Sequence, residues 1–126
     1  AAGPEVLRRI FGGSEISRAE YEGRYYKKAL EVKNLIKNEF ENAFKNFDCI
    51  ISLTVPKLPH KLGSKISVKD MYAYDALTIP ANLAEICAIS IPIGKVDNIP
   101  VGLQIMCPRF HESKMLSIAR EIESLQ

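Results

Sequence analysis

The sequence has no tryptophan, only two histidines and only three cysteines among its 126 residues. Cys49, Cys87 and Cys107 stand 38 and 20 residues apart, too far for a zinc ligand set, and their odd number does not suit the paired framework of a small secreted domain. They are expected to be reduced, mostly buried thiols. His60 and His111 lie 51 residues apart and show no metal-type spacing. No apolar run reaches the roughly 18 residues needed to cross a bilayer, and no basic-then-apolar leader opens the chain. A cytoplasmic location without a membrane partner is therefore expected. Gly-rich phosphate loops, Gly-x-Ser-x-Gly elbows and Ser-x-x-Lys segments are also missing. Local motifs thus exclude a complete enzyme, and they offer neither a catalytic nor a metal-ligating set.

A large surplus of one charge is missing as well. Lys and Arg number 17 against 15 Asp and Glu, a net +2. By segment the balance is +1 over residues 1–48, +3 over 49–70 and −2 over 71–126. No block carries the basic excess of a dedicated nucleic-acid binder. The one local surplus, Lys57, Lys61, Lys65 and Lys69 with His60, is diffuse and reads as a solvated loop, with an RNA-binding surface as the minor alternative.

What is present fits one buried core and leaves no room for a large second domain. The chain opens on Ala1 rather than methionine, as expected of a processed chain or of a piece of a longer one. Behind Pro4, the apolar residues Val6, Ile10 and Phe11 predict a short helix over 4–11, ended by Gly12-Gly13. From Arg18 to Phe47, Tyr25, Ala29, Val32, Ile36, Phe40, Ala43 and Phe47 recur in steps of three or four. This spacing predicts a long amphipathic helix with one core-facing stripe.

Cys49-Ile50-Ile51-Ser52-Leu53-Thr54, stopped by Pro56 and Pro59, reads as a strand buried on both faces. A loop over 57–69 follows, then two short helices near 70–78 and 79–86, with Ser67 or Asp70 as cap and Pro80 as the break. Residues 88–94 and 101–106 read as an antiparallel strand pair, with Pro92 demoting the first to an edge or bulged position. A last helix over 112–125 places Met115, Ile118 or Ala119, Ile122 and Leu125 on one face, with His111 in a polar or capping role at its start.

Two charged groups call for comment. Arg9 sits on the first short helix, and Asp75 sits in the aromatic context Tyr72-Ala73-Tyr74-Asp75. An Arg fork matches a carboxylate and an Asp complements an ammonium, so the two could hold a free amino acid by its α-groups. Locally, a structural ion pair or simple exposure explains them as well.

Six blocks add to this reading: Gly3-Pro4-Glu5-Val6-Leu7-Arg8-Arg9-Ile10, Tyr25-Tyr26-Lys27-Lys28-Ala29, Leu35-Ile36-Lys37-Asn38-Glu39-Phe40, Met71-Tyr72-Ala73-Tyr74-Asp75, Thr78-Ile79-Pro80-Ala81-Asn82-Leu83-Ala84 and Pro100-Val101-Gly102-Leu103-Gln104. In this order, over nearly the whole chain, they resemble the C-terminal portion of the amidase signature family, in the branch of glutamine-hydrolysing subunits of tRNA-dependent amidotransferases. The resemblance implies an α/β fold, a mixed sheet flanked by helices. It implies a glutaminase that supplies ammonia for converting Glu-tRNA or Asp-tRNA to the amidated form, working with subunits B and C.

In that branch ATP and magnesium belong to a partner subunit, so no cofactor is expected in this chain. The branch's Ser–cis-Ser–Lys triad lies upstream of the matched region, which leaves this chain inert alone. By the same resemblance Arg9 aligns with the residue that holds the α-carboxylate of glutamine, and Asp75 with the one that holds its α-ammonium.

Three departures stand out. Ser52-Leu53 replaces a Gly-Pro, Glu85-Ile86-Cys87 replaces a Gly-Leu-Pro, and His111 replaces a capping Asp. A chain lacking the rest of the fold is also expected to self-associate through uncovered apolar surface. The alternative is a free-standing, non-catalytic binding or interaction module derived from an amidase.

Overall fold

The computed structural model describes residues 3–16 and 23–125. The chain divides into two compact units, residues 1–35 and 36–126.

In the first unit, helix α1 runs from Pro4 to Ile16 and takes its first backbone bond from Leu7 N–H to Gly3 O. It continues through Gly12-Gly13, where the sequence predicted a stop. Glycine weakens a helix by about 1 kcal/mol per position but keeps its backbone donor, so neighbouring turns can carry the ladder through it. Helix α2, Arg24–Ala43, begins after Gly23, whose φ of +64° is left-handed and cannot continue a right-handed helix. The predicted start at Arg18 lies outside the described residues.

In the second unit α2 ends in tightened turns, with Lys45 and Asn46 N–H on the carbonyls of Asn42 and Ala43. The predicted core-facing stripe is not buried. No α2 residue is buried; Ile36, Phe40 and Ala43 are half-buried and Phe47 is exposed. Spacing makes a helix amphipathic but does not supply the surface that covers it.

The second unit is organised on three strands, β1 (Ile50–Leu53), β2 (Cys87–Val96) and β3 (Ile99–Cys107), in the order β1-β3-β2. β2 and β3 meet at a two-residue turn, Asp97-Asn98, with φ of +51° and +63° at residue types that tolerate the left-handed region. Such a turn allows only antiparallel pairing. β1 also pairs antiparallel with β3, so these three strands contribute no parallel component to the mixed sheet that was expected. Pro92 sits on the edge strand β2, beside a register shift between Pro92 and Gly94, as predicted.

Helix α5, Glu112–Glu123, lies across β2 and β3. It buries Met115 and Ala119 on Ile91, Ile105 and Cys107. Among the described residues α5 packs mainly on β2 and β3, Ile51 and Leu53 are exposed, and β1 stands at an edge of the three-stranded sheet rather than covered on both faces as predicted. Leu125, expected on the buried stripe, falls beyond the helix and is exposed.

The opposite sheet face carries Ser52, Ser90, Gly102, Gln104 and Met106, aligned by register. Two short helices precede β2. Helix α3, Val68–Ala73, is capped by Ser67, whose Oγ accepts from Asp70 N–H at 3.0 Å and donates to Asp70 Oδ2 at 2.6 Å. Helix α4, Ile79–Ala84, has Pro80 in its first turn, where its missing N–H costs nothing.

Candidate functional site

Arg9 lies one turn beyond Glu5 on α1. Glu5 Oε1 accepts from Arg9 Nε at 2.9 Å, while Arg8 donates to both carboxylate oxygens at 2.7 and 2.8 Å. The Arg8 guanidinium foremost, and Arg9 after it, holds the Glu5 carboxyl below its usual range. The pairing ties the Arg9 guanidinium to Glu5 by its Nε, a partly exposed contact one turn along the helix surface.

Asp75 is half-buried in the turn that joins α3 to α4. Its N–H donates to Tyr72 O, and its carbonyl accepts from Thr78 N–H, Ile79 N–H and Thr78 Oγ. The neighbouring Tyr74 ties this turn to the preceding loop. Its hydroxyl accepts from His60 N–H at 3.1 Å and donates to Leu58 O at 3.3 Å, and Lys57 Nζ lies 5.2 Å from its ring centre. Lys57 also pairs with Asp70 at 2.6 Å. Two members of the local basic surplus, Lys57 and His60, are thus engaged in holding the Asp75 turn.

Thr78 leads into a feature that sequence reasoning missed. A polar cleft of about 350 Å³ lies against the sheet, lined by Thr54, Thr78, Asn82, Ser90 and Gln104 among others. Gln104 is buried on β3, and its Nε2 donates to Leu77 O at 2.9 Å and to Ser52 Oγ at 3.2 Å. Thr54 and Ser90 hydroxyls meet at 2.5 Å over Gly102. A β-carbon at Gly102 would stand 2.7 Å from both hydroxyl oxygens, so only glycine leaves them room. The available signal was a glutamine and a glycine inside an otherwise apolar strand. The cleft is assembled by the three-stranded register together with α4, which brings Thr78 at its cap and Asn82.

Two departures noted in the sequence bear on this region. Glu85, where the resemblance led us to expect Gly, adopts the left-handed cap of α4 with φ +59°, and its N–H bonds Ala81 O and Asn82 O. Its carboxylate pairs with Lys37 at 3.1 Å and Arg109 at 3.4 Å. His111 does occupy the cap position of α5, but its ring does not cap the helix; Nδ1 faces Arg109 O at 2.9 Å. Among the described residues, no group of three or more His, Cys, Asp and Glu is placed to hold a metal ion, and no helix is long and apolar enough to cross a membrane.

A protein-family model described as Amidase matches residues 1–116. The chain belongs to the amidase family. It is 53% identical over 115 residues to the A subunit of Glutamyl-tRNA(Gln) amidotransferase from Methanocaldococcus jannaschii, a match covering 91% of this chain and 26% of that protein. It is 50% identical over 122 residues to the protein of the same name from Methanobrevibacter smithii, covering 97% and 27% respectively.

A crystal structure of the A subunit of Glutamyl-tRNA(Gln) amidotransferase from Thermotoga maritima superimposes with a TM-score of 0.79 at 39% identity, over 98% of this chain and 27% of the other. A crystal structure of an amidase gives 0.80 at 22% identity, over 98% of this chain and 29% of the other, and shows the same fold. This amidase-family chain therefore has the α/β fold that its sequence blocks implied, and it spans about a quarter of the length of its curated relatives.

Proposed function

We propose that these residues are the C-terminal part of a glutamine-hydrolysing amidotransferase subunit, and that they supply its grip on the glutamine zwitterion. The observation that carries this reading is the 53% identity across 91% of the chain to a protein named as an amidotransferase component. Arg9 binds the α-carboxylate, its guanidinium tied to Glu5, and Asp75 binds the α-ammonium from the turn that Tyr74 pins. The nucleophilic Ser–cis-Ser–Lys set belongs to the upstream part of the domain. The ammonia released serves the amidation of Glu-tRNA or Asp-tRNA in a cytoplasmic complex with subunits B and C, with ATP and magnesium used by a partner subunit.

Alone, the chain is inert towards glutamine and self-associates. The test is a glutaminase assay of this chain beside the longer subunit that contains it. Ammonia release by the longer protein and none by the chain supports the assignment. Release by the chain alone, or full activity of the longer protein after these residues are deleted, overturns it.

A further inference from the structure

The cysteines, scattered in sequence, converge on one end of the sheet in the second unit. Cys87 and Cys107 are register partners at the outer end of the β2–β3 pair. Cys49 directly precedes Ile50, whose partner is Met106, and so approaches Cys107 from the other side. Cys49 and Cys87 both pack against the core cluster that contains Cys107. Register partners in an antiparallel pair have Cα atoms about 4.5–5.5 Å apart, within the roughly 4.4–6.8 Å that a disulfide spans.

We propose that Cys87 and Cys107 form a redox-modification site, a dithiol that a peroxide oxidises to a cross-strand disulfide while Cys49 stays a thiol. Cys49 is the excluded partner because the β1 ladder begins after it, whereas Cys87 and Cys107 are held by paired backbone on both strands.

The half-buried Cys87 initiates the reaction. Its thiol now donates to the carbonyls of Cys107 and Pro108, at 3.4 and 3.2 Å. Cys107 is fully buried, and burial foremost, with Cys87 next, pushes its thiol above the ordinary range, which keeps it protonated and leaves the first attack on peroxide to Cys87. Cys87 sulfur attacks one peroxide oxygen, the O–O bond breaks, and the departing hydroxide takes the thiol proton as water. Cys107 sulfur then attacks the Cys87 sulfenic acid, the S–S bond forms and the S–O bond breaks, and the leaving hydroxide takes the Cys107 proton as a second water. Two thiols together lose two electrons and the peroxide gains them.

The test treats the full chain with stoichiometric hydrogen peroxide under native conditions, then alkylates it in denaturant and maps its peptides without reduction. The expected result is a product with no bridge between chains, lighter by two hydrogens before alkylation, with one alkylated thiol at Cys49 and one Cys87–Cys107 linked peptide. Cys49→Ser should keep the linkage and Cys87→Ser should lose it, and the wild-type map decides the pairing even where a variant folds poorly. Three unbridged thiols, a bridge that includes Cys49, bridges between chains, or the same mixture of pairings as in guanidinium-unfolded chain would each overturn the proposal.

Discussion

Glu85 stands in the left-handed region, which costs a non-glycine residue about 1–2 kcal/mol. Lys37 and Arg109 hold its carboxylate, but such partly exposed pairs are worth only about 0–1 kcal/mol each. Glu85→Ala keeps the strain and loses the pairs, whereas Glu85→Gly loses the pairs and removes the strain. We expect the glycine variant to be more stable than the alanine variant by about 1 kcal/mol in denaturant titrations. Equal midpoints would show that the cap is not strained. At Gly102, an added methyl group meets Thr54 and Ser90, and Thr54 is β-branched and slow to yield. Gly102→Ala should therefore cost about 1–3 kcal/mol, with the loss reduced in a background carrying Ser90→Ala. At this scale the sequence showed that a helix-stopping glycine was absent at residue 85. It could not show that the backbone keeps the glycine geometry, because the two cations that accompany the cap arrive from residues 37 and 109.

Among elements, the hairpin was the most legible. Asp97-Asn98 between two β-rich runs defines the turn, and Pro92 marks the edge. β1 was misjudged because four apolar or small residues look alike whether a helix covers them or not, and α5 packs mainly on its neighbours β2 and β3. The same limit hid the polar cleft, whose side chains come from β1's end, α4, β2 and β3 and meet only through strand register and the placement of α4.

Elements are also joined by charge. Lys114 of α5 donates to Asp48 before β1, and Lys57 pairs with Asp70 of α3. In each case the lysine holds the Asp carboxyl below its ordinary 3.8, with Ser67 assisting at Asp70. Groups lowered on folding contribute stability above their unfolded value, and that contribution disappears as pH falls through the lowered folded value. Lys114, raised above 10.5 by the same pairing, loses its share as pH rises through its raised value. Asp48→Asn should therefore fall below wild type in stability at neutral pH, with the gap closing below pH 3.8. Circular dichroism melts across pH measure this, and a gap that widens in acid would refute the pairing. Salt should narrow the neutral-pH gap as well, since both partners touch solvent.

For the molecule as a whole, composition and length bounded the problem, while the ordered sequence blocks identified the family. Among the described residues the buried apolar side chains lie in the second unit, and Leu53, Val55, Leu58 and Val96, which line an apolar cleft of about 340 Å³ there, stay exposed. Concentration-dependent elution in gel filtration is the expected consequence, and a sharp monomer peak at every concentration would contradict it. The proposed roles of Arg9 and Asp75 rest on the family blocks. Taken locally, each is one charged residue among 32.

The most direct test of their assignment is steady-state kinetics of the longer subunit carrying Arg9→Ala or Asp75→Ala, with glutamine and with a simple alkyl amide that has no α-groups. We expect each variant to raise the glutamine KM roughly ten- to a hundredfold, the cost of one charge-assisted contact, and to leave the alkyl amide unaffected. Unchanged glutamine kinetics, or equal losses on both amides, would contradict the proposed grip on the zwitterion.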